Sequence, residues 1–380
     1  MSFARFMELA LYDVPYGYYM TQTLDSDRPS STRIGWGGDF YTAPELSPIL
    51  AKTLVRQIVS IDAQLDHPAS FIFMEIGAGN GTFAVDFLQE CRRIASDLFH
   101  RLSYHIVERS PYLQSRQAAC LKEALGDWVE GHLTWKSTLE EVESDSLTGV
   151  IFSNELVDAL PVHRVRWENS QLYEVFVAYE EGHFVECLAH GSSPKLVEYV
   201  ETHHVSLSEG QTSELHIEAE VWMNHVARVL HRGVVITIDY GHTGRDYYRS
   251  DRNDGTFLCY FRHAISTDPY SRVGEQDMTA HVNFSALASV GTTSGLELIG
   301  LTTMANWLIG LGVEELVCDQ DQESEDVRAL VHLLRPHGMG TTFKVLVQRK
   351  GMEPFAIQGL RYRAFFDDAV LPIEGGEERT

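Results

Sequence analysis

Positive charge is what this sequence has least of. Its 380 residues carry 30 Lys and Arg against 54 Asp and Glu, a formal net charge of −24. An extended phosphate-binding surface needs clustered cations, so nucleic acid is not expected as a partner. The acidic balance reads as solubility or as attraction for a basic protein, and the charge total does not separate the two. Cysteine is also scarce. Cys91, Cys120, Cys187, Cys259 and Cys318 are dispersed and form no C-x-x-C pair. That pattern excludes a disulfide framework and fits buried free thiols in a reducing compartment. No metal site is expected, because His203 and His204 are adjacent and cannot form a helical i, i+4 ligand pair. No apolar run is long enough to span a bilayer. The first twenty residues, with Glu8, Asp13 and Pro15, lack the apolar core of a secretory signal. A cytoplasmic location is the expectation.

Hydrophobic residues make up 44% and aromatics 11%, enough for a substantial core. Short runs rich in β-branched or aromatic residues predict buried strands at 71–76, 104–107, 150–152, 234–238, 296–301 and 343–347. Helical patterns lie between many of them, as in Phe83, Phe87, Leu88, Cys91, Ile94, Ala95 and Leu98. Strand–helix alternation predicts an α/β fold, a doubly wound, mostly parallel, Rossmann-like sheet. Residues 66–161 and 231–350 are assigned to it. Before it, 1–65 reads as a helical, lid-like segment. Thr42 and Glu45 have capping-box spacing, Ser47-Pro48 offers a second start, and one helix is expected over this span. Within an inserted subdomain at 162–230, residues 162–189 alternate apolar and polar, with turn signals at Asn169-Ser170 and Glu181-Gly182. This predicts an antiparallel hairpin or small sheet. Residues 241–281 read as a long ordered loop, and 351–380 as a tail.

The decisive segment is a strand, 71–76, running into Glu75-x-Gly77-x-Gly79-x-Gly81 and then an amphipathic helix. Glycines let the backbone turn tightly and approach a ligand closely. The helix start offers free N–H groups and a positive dipole end. Dinucleotide sites use G-x-G-x-x-G for a pyrophosphate. The spacing here, with a preceding acid, suits S-adenosylmethionine: Glu75 for its amino group, directly or through water, and the loop for its carboxylate and ribose. The next strand ends at Glu108, an acid placed for ribose hydroxyls. Trp135 and Leu139 follow the third strand, where an adenine needs apolar cover, although Trp135 equally suits a core position. An NAD-dependent oxidoreductase is the competing enzyme, and the glycine spacing opposes it.

These features resemble the MidA family of class I methyltransferases. The resemblance rests on Tyr12-Asp-Val-Pro-Tyr-Gly-Tyr-Tyr19, Gly38-Asp-Phe-Tyr-Thr-Ala-Pro-Glu-Leu-Ser47, the glycine motif and Ser153-Asn-Glu-Leu-Val-Asp-Ala-Leu-Pro161. Ile238-Asp-Tyr-Gly241, Asp251-Arg-Asn-Asp-Gly-Thr256 and Asp277-Met-Thr-Ala-His-Val-Asn-Phe284 add to it. It implies a Rossmann-like fold, S-adenosylmethionine as methyl donor and a protein substrate. In the family's mitochondrial member the methylated side chain is an arginine of a respiratory complex I subunit; an unfused chain can serve another basic-site protein. It also implies that Asp39, Tyr41, Thr42 and Glu45 fold over the cofactor. The cofactor positions are then Asp39, Tyr41, Thr42, Glu75, Gly77, Ala78, Gly79, Asn80, Gly81, Glu108, Arg109, Asn154 and Glu155.

For the acceptor, ligands of open α/β sheets bind beyond the C-terminal strand ends. The fourth strand ends at Asn154-Glu155, with Asp158 just beyond. A guanidinium acceptor is cationic and suits carboxylates that grip it bidentately. Glu155 and Asp158 are the candidates, by positional analogy with the paired acids of better-known arginine methyltransferases; a helix cap is the alternative for Asp158. The fifth strand ends at Asp239-Tyr240, an acid to orient the acceptor and a ring to wall it. His281, before a helix start, can accept a proton or hold a carboxylate. The hairpin insertion either flanks the acceptor channel or pairs two subunits as a homodimer. A non-catalytic assembly factor that binds S-adenosylmethionine is the alternative from another class. A nucleic acid methyltransferase is disfavoured by charge and by the lack of an Asn-Pro-Pro-Tyr motif.

Overall fold

A computed structural model of the chain describes residues 1–21, 33–35, 37–190, 193–318, 324–336 and 338–362. The end of the expected tail, 363–380, lies outside the described residues.

Helix α1 (Phe3–Tyr12) starts at Ser2, whose hydroxyl accepts the Arg5 N–H. The one helix expected around 42–58 is two, α2 (Ala43–Leu46) and α3 (Ile49–Gln64). Pro48 has no N–H to extend the first, and the Ser47 hydroxyl accepts the Ile49 N–H. The Thr42–Glu45 capping box does not form, because Asn80 and Thr82 donate to the Glu45 carboxylate instead. Alternation then begins: β1 (Phe71–Ile76), α4 (Thr82–Ile94), α5 (Ser96–Arg101), β2 (Leu102–Val107), α6 (Pro111–Leu125), β3 (Leu133–Lys136) and β4 (Leu147–Asn154). An insertion follows with β5 (His163–Glu168), β6 (Gln171–Glu180), β7 (His183–His190), α7 (Pro194–Thr202) and β8 (Thr212–Leu215). Helix α8 (Ile217–Val229) leads back into β9 (Leu230–His242). Beyond it come α9 (Gly244–Tyr247), β10 (Leu258–Phe261), β11 (Ala264–Ser266), β12 (Asp277–Thr279), β13 (Val282–Asn283) and α10 (Phe284–Thr293). The described chain closes with β14 (Glu297–Thr303), α11 (Met304–Gly310), α12 (Glu325–Leu334), α13 (Met339–Thr342) and β15 (Phe343–Lys350).

The main sheet has the order β14-β15-β9-β4-β1-β2-β3, with β13 beside β9. Strands β3, β2, β1, β4 and β9 run parallel, and β15 is antiparallel to both neighbours. This is the expected mostly parallel α/β sheet. Along β1, Phe71 and Phe73 face one helical layer while Met74 and Ile76 face the other, the period-2 signature of a strand covered on both sides. The chain leaves β1 for β2 on one side and later enters β4 on the other. The crevice at this switch point, beyond the C-terminal ends of β1 and β4, is where such sheets bind ligands.

Three segments pack differently from the sequence expectation. Helix α3, placed with the lid, belongs to the layer over the main sheet, where Leu50, Leu54 and Ile58 are buried in one cluster with Phe73 and Phe87. Helix α8, placed with the insertion, covers the opposite face through Met223 and Val226. Met352, Ile357 and Leu360, placed with the tail, enter the core.

The insertion forms a four-stranded antiparallel sheet, β7-β6-β5-β8. Its turns fall at Asn169-Ser170, with φ of 52° and 59°, and at Glu181-Gly182, with φ of 48° and 88°, the left-handed pairs that tight hairpins use. Helix α1 packs its apolar face, Phe3, Phe6, Met7 and Leu11, with Val162 and Val177 of this region and with Met278 of β12. The 241–281 stretch is not simply a loop: it holds α9 and a three-stranded sheet, β11-β10-β12. All five cysteines are free, and Cys187 and Cys318 are exposed rather than buried. Among the described residues, no helix is long and apolar enough to cross a membrane.

Candidate active site

The glycine loop joins β1 to α4 at the switch point. Gly77, Gly79 and Gly81 have φ of 74°, 53° and 84°, where a Cβ is strained. At Gly77 a Cβ would also stand 2.7 Å from Leu156 Cδ1. The Gly77 N–H donates to the Val107 carbonyl at 2.9 Å, which ties the loop to the end of β2. Glu108 follows there. One oxygen accepts the Ser110 N–H at 2.9 Å and the other accepts Gln117 Nε2 at 3.1 Å. That same Nε2 donates to the Gly79 carbonyl, and Gln117 Oε1 accepts the Trp135 indole N–H. Gln117 therefore fixes the glycine loop, the β2 acid and β3 in one network. Trp135 lies within β3 and serves this packing, not the cavity. Glu75 is buried beneath the loop and accepts the Tyr104 hydroxyl at 2.6 Å. Burial raises Glu75 to about 8 and Glu108 to about 7, against the hydrogen bonds that favour their ionised forms.

Above the loop lies a cavity of about 900 Å³. Its lining includes Glu75, Gly77, Ala78, Gly79, Asn80, Glu108, Arg109, Asn154 and Glu155. Val107, Leu113 and Leu139 supply apolar surface beside Glu108. S-adenosylmethionine fits this set: a backbone cradle that a Cβ would fill, a buried acid beneath it, and a second acid beside an apolar slot. Of the segment expected to fold over the cofactor, Thr42, Pro44 and Glu45 line the cavity.

Several expected residues do not reach the cavity. Asp39 is buried and accepts the Tyr18 hydroxyl at 2.9 Å and the Arg262 N–H at 2.7 Å, so it anchors the loop. Tyr41 packs near the His263 and His332 rings. Gly81 sits at the α4 start against Gln117 and Cys120. Asp239 is a clamp. Its Oδ2 accepts the N–H groups of Leu156, Val157 and Asp158 at 3.2, 2.9 and 3.2 Å, and its Oδ1 accepts that of Tyr240 at 2.9 Å. It is buried outside the cavity lining and holds the turn that carries Glu155. Asp158 is buried behind this turn and accepts the Tyr240 hydroxyl. Tyr240 packs between Phe343 and His281. His281 Nδ1 lies 3.0 Å from His242 Nε2, and burial lowers its pKa to about 4. It holds no carboxylate.

Of the three acids proposed for the acceptor, Glu155, Asp158 and Asp239, Glu155 is the one that lines the cavity. It has φ of 52°, and Asp239's bonds to the next three residues hold that geometry. Its Oε1 accepts the Ala43 N–H and Asn154 Nδ2, both at 3.0 Å. Burial raises its pKa to about 8, with Asp158 adding to the rise. Among the described residues, no Lys or Arg pairs with Glu155, Asp158 or Asp239.

The sequence reading missed two walls. Ser2, Arg5, Glu8, Tyr12 and Tyr19 bring the α1 region to the cavity, and Arg109 reaches over the Tyr12 ring. Glu218, Val221, Trp222 and His225 of α8 form another side. The i, i+3, i+4, i+7 spacing of the α8 set was a visible signal of one helical face.

Proteins similar to this chain point to the same methyl donor. A Drosophila melanogaster protein named "Protein arginine methyltransferase NDUFAF7 homolog, mitochondrial" is 27% identical over 382 residues, covering 92% of this chain and 81% of its own. Its human counterpart is 25% identical, covering 90% and 78%. A Burkholderia thailandensis crystal structure bound to S-adenosyl-homocysteine superposes with a TM-score of 0.83 at 29% identity, covering 96% of this chain and 91% of that one. A second structure from that organism gives 0.80 at 30% identity, with coverage of 96% and 90%. A family model described as S-adenosyl-L-methionine-dependent methyltransferase matches residues 53–302, and the chain belongs to that family.

Proposed function

We propose that the chain methylates a protein side chain and that the acceptor is the guanidinium of arginine. The observation that carries this reading is Glu155. Its half-buried carboxylate lines the cavity, no Lys or Arg among the described residues pairs with it, and withdrawal from water raises its pKa to about 8. A carboxylate drawn partly out of water is costly in its charged form unless a cation pairs with it, and the Ala43 N–H and the Asn154 amide are both neutral donors. A guanidinium offers parallel N–H donors and a permanent charge, which favours the ionised carboxylate. The names of the relatives above support the same acceptor class.

S-adenosylmethionine, when bound, supplies an electrophilic methyl group on a sulfonium. The chain's own contribution is orientation and charge placement. Glu155 holds the acceptor, while Ala43 and Asn154 fix its carboxylate. Asp239 keeps the supporting turn in shape. Asp158 and Tyr240 brace it from behind.

The test is incubation of the protein with methyl-tritiated S-adenosylmethionine and matched arginine and lysine peptides, followed by amino acid analysis. Labelled methylarginine is expected. Label in lysine alone, or in neither pool, contradicts the reading.

A further inference from the structure

We propose that His163, held by Glu174, is the base that takes the proton released on methyl transfer. The proposal rests on the arginine reading above, because it concerns what that acceptor must lose.

The connection from β4 runs along the cavity. Glu155, Leu156, Ala159, Leu160, Pro161 and His163 all line it, and His163 is the first residue of β5. The insertion thus delivers a histidine to the cavity directly after the turn that carries Glu155. His163 Nδ1 lies 2.7 Å from Glu174 Oε1 on β6, and Glu174 is only 5% exposed. A carboxylate accepts, so Nδ1 carries the hydrogen, and in the neutral ring Nε2 holds the lone pair. Among the described residues, Nε2 has no hydrogen-bond partner, and the side chain is 19% exposed. Glu174 faces Val165 in the strand register and reaches past it to His163. The pair does more than brace two strands, because His163 also lines the cavity and its side chain keeps partial exposure there. The other charged groups on that wall are Arg5 and Glu8 of α1, Arg109 after β2, and Glu140, Glu218 and His225 near α8, besides Glu45, Glu75, Glu108 and Glu155.

Chemistry supplies the need. As the guanidinium nitrogen bonds to the methyl carbon, the carbon–sulfur bond breaks and its electrons stay on sulfur. The acceptor would become a dication unless its N–H proton leaves. That proton passes to His163 Nε2, giving an imidazolium beside the Glu174 carboxylate and a methylated guanidinium with its single charge. The leaving thioether is neutral.

Methyl transfer to arginine peptides is measured across pH for the wild type, His163→Gln and Glu174→Gln, with S-adenosylmethionine binding measured in parallel. A general base contributes about 10²–10⁴-fold. His163→Gln is expected to lower kcat about a hundredfold with KM and donor affinity little changed. Glu174→Gln is expected to lower it about tenfold and to move the acidic limb of the profile. Unchanged kcat and pH profile in His163→Gln overturn the proposal and leave the arginine reading intact. If the wild type labels no arginine, that reading fails, and ¹⁵N-histidine spectra of the wild type then decide the dyad. A His163 ring with Nδ1 protonated and Nε2 bare, whose titration moves in Glu174→Gln, supports it. The opposite tautomer, or a titration unmoved by Glu174→Gln, overturns it.

Discussion

The two walls of the cavity are held by opposite means. The donor wall is local: a strand, a glycine turn, a helix and the next strand's acid, with Gln117 only 9 residues beyond Glu108. The acceptor wall is assembled from afar. Glu155 is fixed by Ala43, 112 residues away, and its turn by Asp239, 81 to 83 residues away. The donor wall depends on backbone shape that only glycine adopts freely. The acceptor wall depends on buried charge satisfied by main-chain N–H groups. Damage to the first should therefore cost ligand affinity with the fold retained, and damage to the second should cost stability as well.

Asp239→Ala should have the largest effect. It leaves three N–H groups of the turn without their acceptor, those of Val157 and Asp158 buried and that of Leu156 half-buried, a loss of about 3–5 kcal/mol. A lowered urea midpoint, with methyl transfer abolished, is the expected outcome. An unchanged midpoint would break the contrast between the walls. Gly77→Ala comes next. The strained φ and the contact with Leu156 should weaken S-adenosylmethionine binding about a hundredfold by isothermal titration and lower the urea midpoint by less than Asp239→Ala does. Glu108→Gln removes charge from the acid expected to accept from the ribose hydroxyls and should weaken binding about tenfold.

A pH effect is the smallest. Burial raises the folded-state pKa of Glu75 and Glu155 to about 8, above the 4.5 of a free carboxyl. The folded chain then binds more protons than the unfolded one, and stability falls as pH rises toward 8. Histidines 216, 242 and 281 act oppositely, with folded pKa values of about 4, 3 and 4 against 6.5, but their contribution is complete by about pH 6.5. The urea midpoint of the ligand-free protein should therefore decline between about pH 6.5 and 8. Saturating S-adenosylmethionine, whose ammonium group is expected over Glu75, should lessen the decline. A flat profile without ligand would show that these acids are not burdened by burial.

The same difference explains what was legible in the sequence. Strand β1, the glycine loop and Glu108 were readable because their places in the fold are set by neighbours a few residues away. So were the Asn169-Ser170 and Glu181-Gly182 turns, whose backbone the residue types dictate. Asp239 was recognised as an acid at a strand end, but its use as a clamp depends on a parallel pairing between β4 and β9 that no local pattern encodes. Asp39 and Asp158 were misplaced for the same reason: a buried aspartate's partner comes from tertiary packing. Gln117 and the α8 face went unread because polar and aromatic residues on a helix look alike whether they meet a cavity or solvent.

The most direct test of the two-wall account is Glu155→Gln, assayed for methyl transfer to arginine peptides and for S-adenosylmethionine affinity in one preparation. The account requires transfer to fall by about 10²–10³ with donor affinity unchanged, since only the acceptor wall has lost its charge. Transfer at the wild-type rate, or a matching loss of donor binding, would contradict it.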